Sequence, residues 1–183
     1  MERLLPGGYK FFGLLFHENH RETMKGVIEM LPASTERVPG QTDPAINEKI
    51  EHDTAISVMR RWESGREAVN ARLEELDREW DIERAIEANA AAISLIGIML
   101  AAFVNIFWLL LPALVAAFLL QHALQGWCPP VPVLRRLGFR TTHEIDNERY
   151  ALKAIRGDFK DAPVLTEPCD GAKVARLMKS VQL

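Results

Sequence analysis

The chain has 183 residues, a formal net charge of −3 and a pI near 6.0, which excludes the strongly basic surface of a nucleic-acid-binding protein. Its two cysteines, Cys128 and Cys169, are far apart and form no CxxC pair, so zinc-ribbon and thioredoxin-type sites are excluded as well. The length suits one ordinary domain. No cofactor and no metal are predicted, and no catalytic constellation stands out, so an enzyme is not expected.

Residues 1–42 are predicted to form an irregular N-terminal segment with one short helix over 20–31, which Pro32 ends. His17 and His20 have a spacing that places two imidazoles on one helical face. Because no third ligand accompanies them, they are a weak metal candidate.

Residues 43–80 are predicted to form a cytosolic region of two helices. Asp43 is a good N-cap, and Pro44 suits the first helical turn because it has no N–H to leave unpaired. Ser64 and Gly65 interrupt the first helix, and Ser64 with Glu67 predicts a capping box for the second. The apolar residues of the first helix share roughly one face: Ile46, Ile50, Met59 and Trp62.

The second helix carries a narrow apolar stripe between charged positions, at Val69, Leu73, Leu76 and Trp80. This stripe packs either on the first helix or on another subunit, and it is too short for a coiled coil. The acidic run over 74–79 is read as a solvated face. No turn signal follows, so the helix is predicted to continue through Asp81 into the apolar segment.

The apolar segment Ala88–Leu124 contains no Asp, Glu, Lys or Arg. One helix over it would be about 55 Å long, whereas the hydrocarbon core of a bilayer is about 30 Å thick. Asn105 lies near its middle and tolerates a turn. The segment therefore predicts a transmembrane hairpin of two helices, Ala88–Phe103 and Ile106–Leu124. The alternative is a single span over Ile106–Leu124 preceded by an interfacial helix.

Small residues recur on one face of each predicted span, and small residues let membrane helices approach closely. They are Ala90, Ser94, Gly97 and Ala101 on the first span and Ala113 and Ala117 on the second. Pro112 is predicted to kink the second span, as membrane helices tolerate.

Basic residues flank the apolar segment on both sides, and the loop at Asn105 has none. By the positive-inside rule, both termini face the cytoplasm. Tryptophan and arginine are favoured at the level of the lipid headgroups. The predicted interface anchors are Trp80, Trp127, Arg84, Arg135 and Arg136.

Glycine and prolines follow the second span. Gly126 is a natural C-cap, and the prolines at 129, 130 and 132 are expected to prevent helical continuation. Thr141 and Glu144 predict a capping box that opens a cytosolic helix ending near Gly157. Residues 141–183 are thus read as a C-terminal helix and a tail with one short helix over 172–180.

The run Asp81-Ile82-Glu83-Arg84 before an alanine-rich helix, with Gly126-Trp127-Cys128-Pro129-Pro130 after the second span, resembles the YgaP-like transmembrane domain. That family is a small two-helix bacterial inner-membrane module with a Gly-x-Cys-Pro motif. The resemblance covers roughly Trp80–Phe139, residues 81–140 are assigned to the hairpin domain, and Gly126, Cys128 and Pro129 match the motif. It implies a hairpin in the inner membrane. In the family's namesake the hairpin follows a rhodanese domain, but Met1–Trp80 offers no strands and no cysteine, so sulfurtransferase activity is not carried over.

Two side chains are candidates for chemistry. Cys128 lies near Arg135 and Arg136, which would lower its pKa and suit a sulfane-sulfur acceptor or a soft-metal ligand. It is also consistent with a small apolar residue that closes the helix end. His122 is the only ionisable residue in the apolar segment, and it is expected to hydrogen-bond Gln121 or Gln125. Cys169 lacks the sheet that a cysteine–arginine loop requires.

The fold class expected from the sequence is an all-α membrane protein, a two-helix transmembrane hairpin with flanking cytosolic amphipathic helices. The first functional hypothesis is an anchor or scaffold in the lipid bilayer that forms a homo-oligomer or docks a membrane or cytosolic protein. The alternative is an accessory factor in sulfur or thiol handling that uses Cys128. A channel or transport subunit is a third hypothesis, with only His122 to line a path.

Overall fold

The computed structural model describes residues 31–160 and three residues of the C-terminal tail. The helix predicted over 20–31, which includes His20, lies outside these residues apart from Leu31, and so do His17 and Cys169. Every regular element between residues 31 and 160 is helical and none is a strand, which confirms the all-α prediction. The described tail residues are also helical: Val174, Ala175 and Met178.

Residues 31–160 form α-helices joined by short turns and two 3-10 helices. The α-helices are α1 (Pro44–Ser64), α2 (Arg66–Leu76), α3 (Ile82–Phe103), α4 (Leu110–Gln125), α5 (Val131–Arg136) and α6 (Thr142–Arg156). The 3-10 helices are Pro39–Gln41 and Ile106–Leu109.

Helices α1, α2 and α6 pack on one another and are here named the three-helix layer. Three residues of the predicted apolar stripe, Val69, Leu73 and Leu76, turn inward and meet α6, so they pack within the chain. The fourth, Trp80, lies beyond the end of α2 and is exposed, so the prediction is wrong there. The buried residues of this core are Val69, Leu73, Leu76, Ile145 and Leu152. The predicted apolar face of α1 is only partly right, because Ile50 is buried whereas Met59 and Trp62 are exposed.

Local capping signals determine where most of these helices begin. The Asp43 carboxylate accepts a hydrogen bond from the Ala45 N–H, and Thr141 with Glu144 forms a full capping box at the start of α6, as predicted. The capping box predicted at Ser64 is wrong. Gly65 is the N-cap of α2, and the Ser64 hydroxyl donates to the carbonyl of Arg60 instead.

The second helix does not run into the apolar segment, contrary to the prediction. Helix α2 ends at Leu76, and α3 starts afresh at Ile82. The Asp81 carboxylate caps α3 by accepting a hydrogen bond from the Arg84 N–H, at 2.7 Å. The Ile82 N–H donates to the carbonyl of Arg140, at 2.8 Å, which fixes the start of α3 against the chain before α6.

Helices α3 and α4 form a helical hairpin, named the hairpin below, that reverses at Val104 and Asn105. The Asn105 side chain accepts a hydrogen bond from the Phe107 N–H and opens the 3-10 helix. Pro112 therefore lies in the first turn of α4, where a proline leaves no intrahelical hydrogen bond unmade. The kink predicted inside a longer helix is replaced by this 3-10 to α transition.

The second span ends at Gln125 with Gly126 as its C-cap, as predicted, and α5 is a separate short helix that the sequence analysis did not predict. Pro130 is its N-cap and Pro132 lies in its first turn, the positions at which proline is compatible with a helix. Val131 is fully buried and packs with Ile82 and Ile86 of α3. The chain thus folds back against the start of the hairpin.

Candidate functional site at the base of the hairpin

Both helical segments of the hairpin are long and apolar enough to cross a membrane: Ile82–Phe103, with 22 residues, and Ile106–Gln125, with 20. Only 17% and 6% of their most apolar stretches are buried inside the protein. A core helix of a soluble protein is mostly buried, so these helices present an apolar surface outward. Its large exposed side chains include Leu95, Ile96, Phe103, Phe107, Leu110, Leu114 and Leu120.

The small residues of α3 lie on its less exposed side. Gly97 touches α4 so closely that a Cβ placed on it would lie 2.7 Å from Cδ of Pro112. On the same face Ala90 is buried, and Ser94 and Ala101 are half-buried. On α4, Ala113 and Ala117 are exposed instead. The prediction that small residues of both helices face each other is therefore wrong for α4, because Pro112 and its neighbour Leu111 fill the contact with Gly97.

The hairpin base comprises the first turns of α3, the last turn of α4 and the residues up to Val131. An N-terminal segment crosses it and buries Val38 against Ile82 and Cys128. Gly126 ends α4 in the left-handed conformation, with φ 78°, and a Cβ there would lie 2.1 Å from the carbonyl oxygen of Arg37. Because only glycine leaves room for that carbonyl, Gly126 permits the crossing. The sequence did not indicate this contact, which joins residues far apart in the chain.

The Arg37 guanidinium joins both ends of the hairpin. It donates to the carbonyl of Ala123 in α4, at 2.9 Å, and lies 3.8 Å from the carboxylate of Glu83 in α3. One nitrogen of Arg37 and one oxygen of Glu83 are buried without a hydrogen-bond partner among the described residues. The base therefore holds polar groups within a largely apolar contact.

Cys128 lies inside the hairpin base with 2% of its surface exposed. Burial raises the pKa of its thiol, against a smaller lowering by the Val131 backbone N–H. The expectation that nearby arginines lower this pKa is therefore wrong, since Arg135 is engaged elsewhere. A buried neutral thiol matches a small apolar residue that closes the helix end. In the Gly-x-Cys-Pro motif, Gly126 is buried and Pro129 is exposed.

His122 is buried at the same end of α4, with 6% of its surface exposed. Neither ring nitrogen has a hydrogen-bond partner within the described residues, so the bond expected to Gln121 or Gln125 does not form. The structure brings His122 and Cys128 to one end of the hairpin, but no hydrogen bond joins the imidazole to the thiol.

The predicted interface anchors differ in their surroundings. The guanidinium of Arg84 stacks over the ring of Trp80, 4.5 Å from its centroid. Trp127 is half-buried, and Arg136 is exposed. Arg135 instead is buried and donates to both oxygens of Glu144, at 2.6 and 2.8 Å. The prediction for Arg135 is therefore wrong, because this ion pair removes its side chain from the surface.

A buried ion-pair cluster lies between the three-helix layer and the hairpin base. Its centre is the Glu148 carboxylate, which is fully buried. It accepts hydrogen bonds from Arg72 at 2.9 Å, from Arg140 at 2.7 Å and from the Ser57 hydroxyl at 2.7 Å. Arg140 also donates to both oxygens of Glu79, each at 2.8 Å. The acidic run 74–79 is thus not wholly a solvated face, because Glu79 belongs to this cluster.

Electrostatics keep Glu148 ionised. Burial by itself raises the pKa of a carboxyl, but the hydrogen bonds from Arg72, Ser57 and Arg140 outweigh it and hold the pKa of Glu148 at about 2. A cavity of about 300 Å³ borders the cluster and is lined by Arg72, Arg140 and Glu148. Because these three charges satisfy one another, none of the three is a poised acid or base. No group of metal-ligating side chains occurs in the described part of the chain.

The cluster has a positional role. Arg140 joins the layer to the hairpin because its guanidinium pairs with Glu148 while its carbonyl accepts the Ile82 N–H. One feature of the sequence indicates the buried cluster: Glu148 falls three residues after Ile145 and four before Leu152, on the buried face of α6. A carboxylate on that face requires a partner.

Comparisons with protein-family models, with curated proteins and with solved structures found no match to this chain.

Proposed function

We propose that this protein is an integral protein of the bacterial inner membrane, in which the hairpin crosses the bilayer twice and anchors the three-helix layer at the cytoplasmic face. The observation that carries the proposal is the apolar surface that both hairpin helices turn outward. Contiguous exposed apolar surface of this extent marks a membrane or protein interaction site. The absence of Asp, Glu, Lys and Arg over Ala88–Leu124 favours the membrane.

The dimensions support two crossings. Spans of 22 and 20 residues rise about 33 and 30 Å, and the hydrocarbon core is about 30 Å thick. Helices satisfy their backbone hydrogen bonds internally, as lipid requires. The reversal at Asn105 puts the beginning and the end of the hairpin on one side, together with the charged layer. Arginines lie on the side of the hairpin that carries the layer, and the tip at Asn105 has none, which supports a cytoplasmic position for both termini.

The resemblance to the YgaP-like transmembrane domain belongs to the same proposal. It rests on Gly126, Cys128 and Pro129 and on the acidic start of α3. The membrane proposal stands without it, because exposure of the hairpin and its lack of charge are independent of that motif.

We further assign the layer the role of a scaffold. A groove between α1 and α6 is lined by Val58, Met59, Trp62 and Ala151, and the large side chains of Met59 and Trp62 stand exposed beside it. Exposed tryptophan and methionine are enriched where proteins bind one another. A partner protein or a second copy of the chain would dock there. The thiol-handling alternative gains no support, since Cys128 is buried and its pKa is raised.

Cysteine labelling of the full chain in cells tests the crossing. Cys169 is replaced by serine, buried Cys128 is kept, and single cysteines are introduced at Asn105, Leu114 and His52. A membrane-impermeant maleimide is expected to label Asn105→Cys in intact spheroplasts, His52→Cys only after lysis, and Leu114→Cys in neither case. The unsubstituted background serves as the control for Cys128. Free labelling of Leu114→Cys, or release of the chain by alkaline carbonate, would contradict the proposal.

A further inference from the structure

Helix α5 has two unlike faces. Val131 and Arg135 are buried, the first in the hairpin base and the second in its pair with Glu144. On the other face Val133 and Leu137 are 58% and 70% exposed. Their spacing of four residues places them on one side of a helix. The exposed side of this six-residue helix and its C-cap Leu137 is thus apolar.

The position of α5 along the hairpin fixes the height of that face. Val131 packs against Ile82 and Ile86 in the first turns of α3. Those residues precede Ala88, where the charge-free segment begins, by about 3–9 Å along the helix axis. The headgroup layer extends about 5–7 Å beyond each side of the hydrocarbon core. Because the whole span Ile82–Phe103 is only about 3 Å longer than the hydrocarbon core is thick, helix α5 lies level with the edge of the core, where the headgroups begin.

The arginines near α5 carry positive charge, which is complementary to the phosphate of phospholipid headgroups. Arg136 lies between Val133 and Leu137 in sequence and is exposed, and it makes no ion pair with any residue in the described ranges. Arg135 beside it is paired with Glu144, whereas the Arg136 side chain is exposed and also borders the cavity beside the ion-pair cluster. Arg84, in the first turn of α3, stacks over Trp80, which lies two residues before that helix. Arginine and tryptophan are the side chains that anchor proteins at this depth.

We propose that the exposed apolar face of α5 and its C-cap, formed by Val133 and Leu137, lies where the phospholipid headgroups meet the hydrocarbon core, with Arg136 at the side of that face bound to lipid phosphate. The inference rests on the proposed membrane crossing and adds to it a membrane-surface helix, which fixes the height of the three-helix layer through the pair of Arg135 and Glu144.

Spin labels on the full chain in vesicles of phosphatidylethanolamine and phosphatidylglycerol test this contact. Labels are placed singly at Val133→Cys and Leu137→Cys, with Leu114→Cys as the bilayer control and His52→Cys as the water control, and their collisions with oxygen and with a water-soluble nickel complex are compared. The labels at 133 and 137 are expected to be intermediate between the two controls. If they match His52→Cys while Leu114→Cys is in lipid, the inference is overturned and the crossing stands. If Leu114→Cys also contacts water, the crossing itself fails.

A second variant tests the arginine. Arg136→Gln is expected to raise the nickel accessibility of the label at 137 about twofold, because the phosphate contact is lost. Arg60→Gln, an exposed arginine of α1, is the matched control and is expected to change nothing. An unchanged accessibility in Arg136→Gln would refute the phosphate contact. Adding free inorganic phosphate is expected to have no effect, and a loss of protection on its addition would count against a lipid source.

Discussion

In the three-helix layer, apolar side chains such as Leu73 and Leu152 face inward and charged side chains surround them. In the hairpin, large apolar side chains face outward instead. Leu95, Phe103 and Leu120 point outward there, and the contact between the two helices is closed by Gly97 against Pro112. The layer follows the rule for water, and the hairpin follows the rule for lipid, where outward apolar side chains are favourable and close packing holds helices together. In the proposed membrane crossing, two solvents act on one short chain.

The charges show the same division. The layer buries a carboxylate, Glu148, and satisfies it with two arginines and a hydroxyl. A buried charge is tolerated only when its partners are present. The hairpin avoids such charges altogether beyond its base. Substitutions that remove a partner should therefore affect the layer strongly and leave the hairpin unaffected.

The largest effect is expected for Glu148→Ala, which leaves Arg72 and Arg140 without their shared carboxylate. Removing one partner of a buried pair typically costs about 3–5 kcal/mol. Hydrogen exchange of α2 and α6 should accelerate strongly, while exchange in α4 stays slow. Glu74→Ala, at an exposed position of α2, is the control and should remain within about 0.5 kcal/mol of the parent. Equal loss of protection in α4 would show that the two regions unfold as one unit.

Acidic pH is also expected to destabilise the three-helix layer more than the hairpin. The pKa of Glu148 is about 2 in the folded chain and ordinarily 4.5, so the unfolded chain binds a proton at a pH where the folded chain does not. The free energy of unfolding of the layer therefore falls as pH drops from 4.5 toward 2. Burial also acts on Glu144, but its bonds from Arg135 and Thr141 lower its pKa overall, in the same direction.

Circular dichroism in detergent micelles measures this acid dependence. The part of the helical signal that comes from the three-helix layer should be lost below pH 4.5. The part that comes from α3 and α4 should persist, because no carboxylate lies between Ala88 and Leu124. Glu148→Gln should flatten the dependence. A pH profile identical in that variant would assign the acid sensitivity to other carboxylates.

Local signals in the sequence predicted the features that depend on a few neighbouring residues. Asn105 opens the turn through a bond two residues away, and Thr141 and Glu144 cap α6 through bonds three residues away. Features that depend on distant residues were missed. Arg140 reaches Glu79, and Arg37 reaches the end of α4. Spacing along a helix carries no information on such pairs.

Helix α5 was missed for a different reason. Prolines at 130 and 132 exclude a helix interior but fit the N-cap and first turn of a new helix. The burial of Val131 against α3 then decides between a loop and a helix, and that contact is not visible in the sequence.

A smaller effect is expected at the crossing of the N-terminal segment over Gly126. Gly126→Ala adds a Cβ 2.1 Å from the backbone carbonyl of Arg37 and also strains a positive φ. Gly138, with φ 90° and nothing within 4 Å of its Cβ position, is the matched control. Gly138→Ala should cost about 1–2 kcal/mol from strain alone, and Gly126→Ala clearly more. Hydrogen exchange of residues 37–42 measures the difference. Equal loss of protection in both variants would mean that residues 37–42 are not held in place by the close contact between Gly126 and the Arg37 carbonyl.

The smallest effect is expected for Gly97→Ala, where two terms of opposite sign compete. Alanine favours a helix over glycine by about 1 kcal/mol, but its Cβ would lie 2.7 Å from the rigid ring of Pro112, and such overpacking costs about 1–3 kcal/mol. We expect the clash to prevail and to weaken the hairpin by about 1 kcal/mol, as measured by unfolding in mixed micelles. Ala113→Leu, on the exposed side of α4, should be neutral. If Gly97→Ala instead stabilises the protein, helix propensity outweighs close approach, and the hairpin is held together as the layer is, by apolar burial rather than by the fit of small residues.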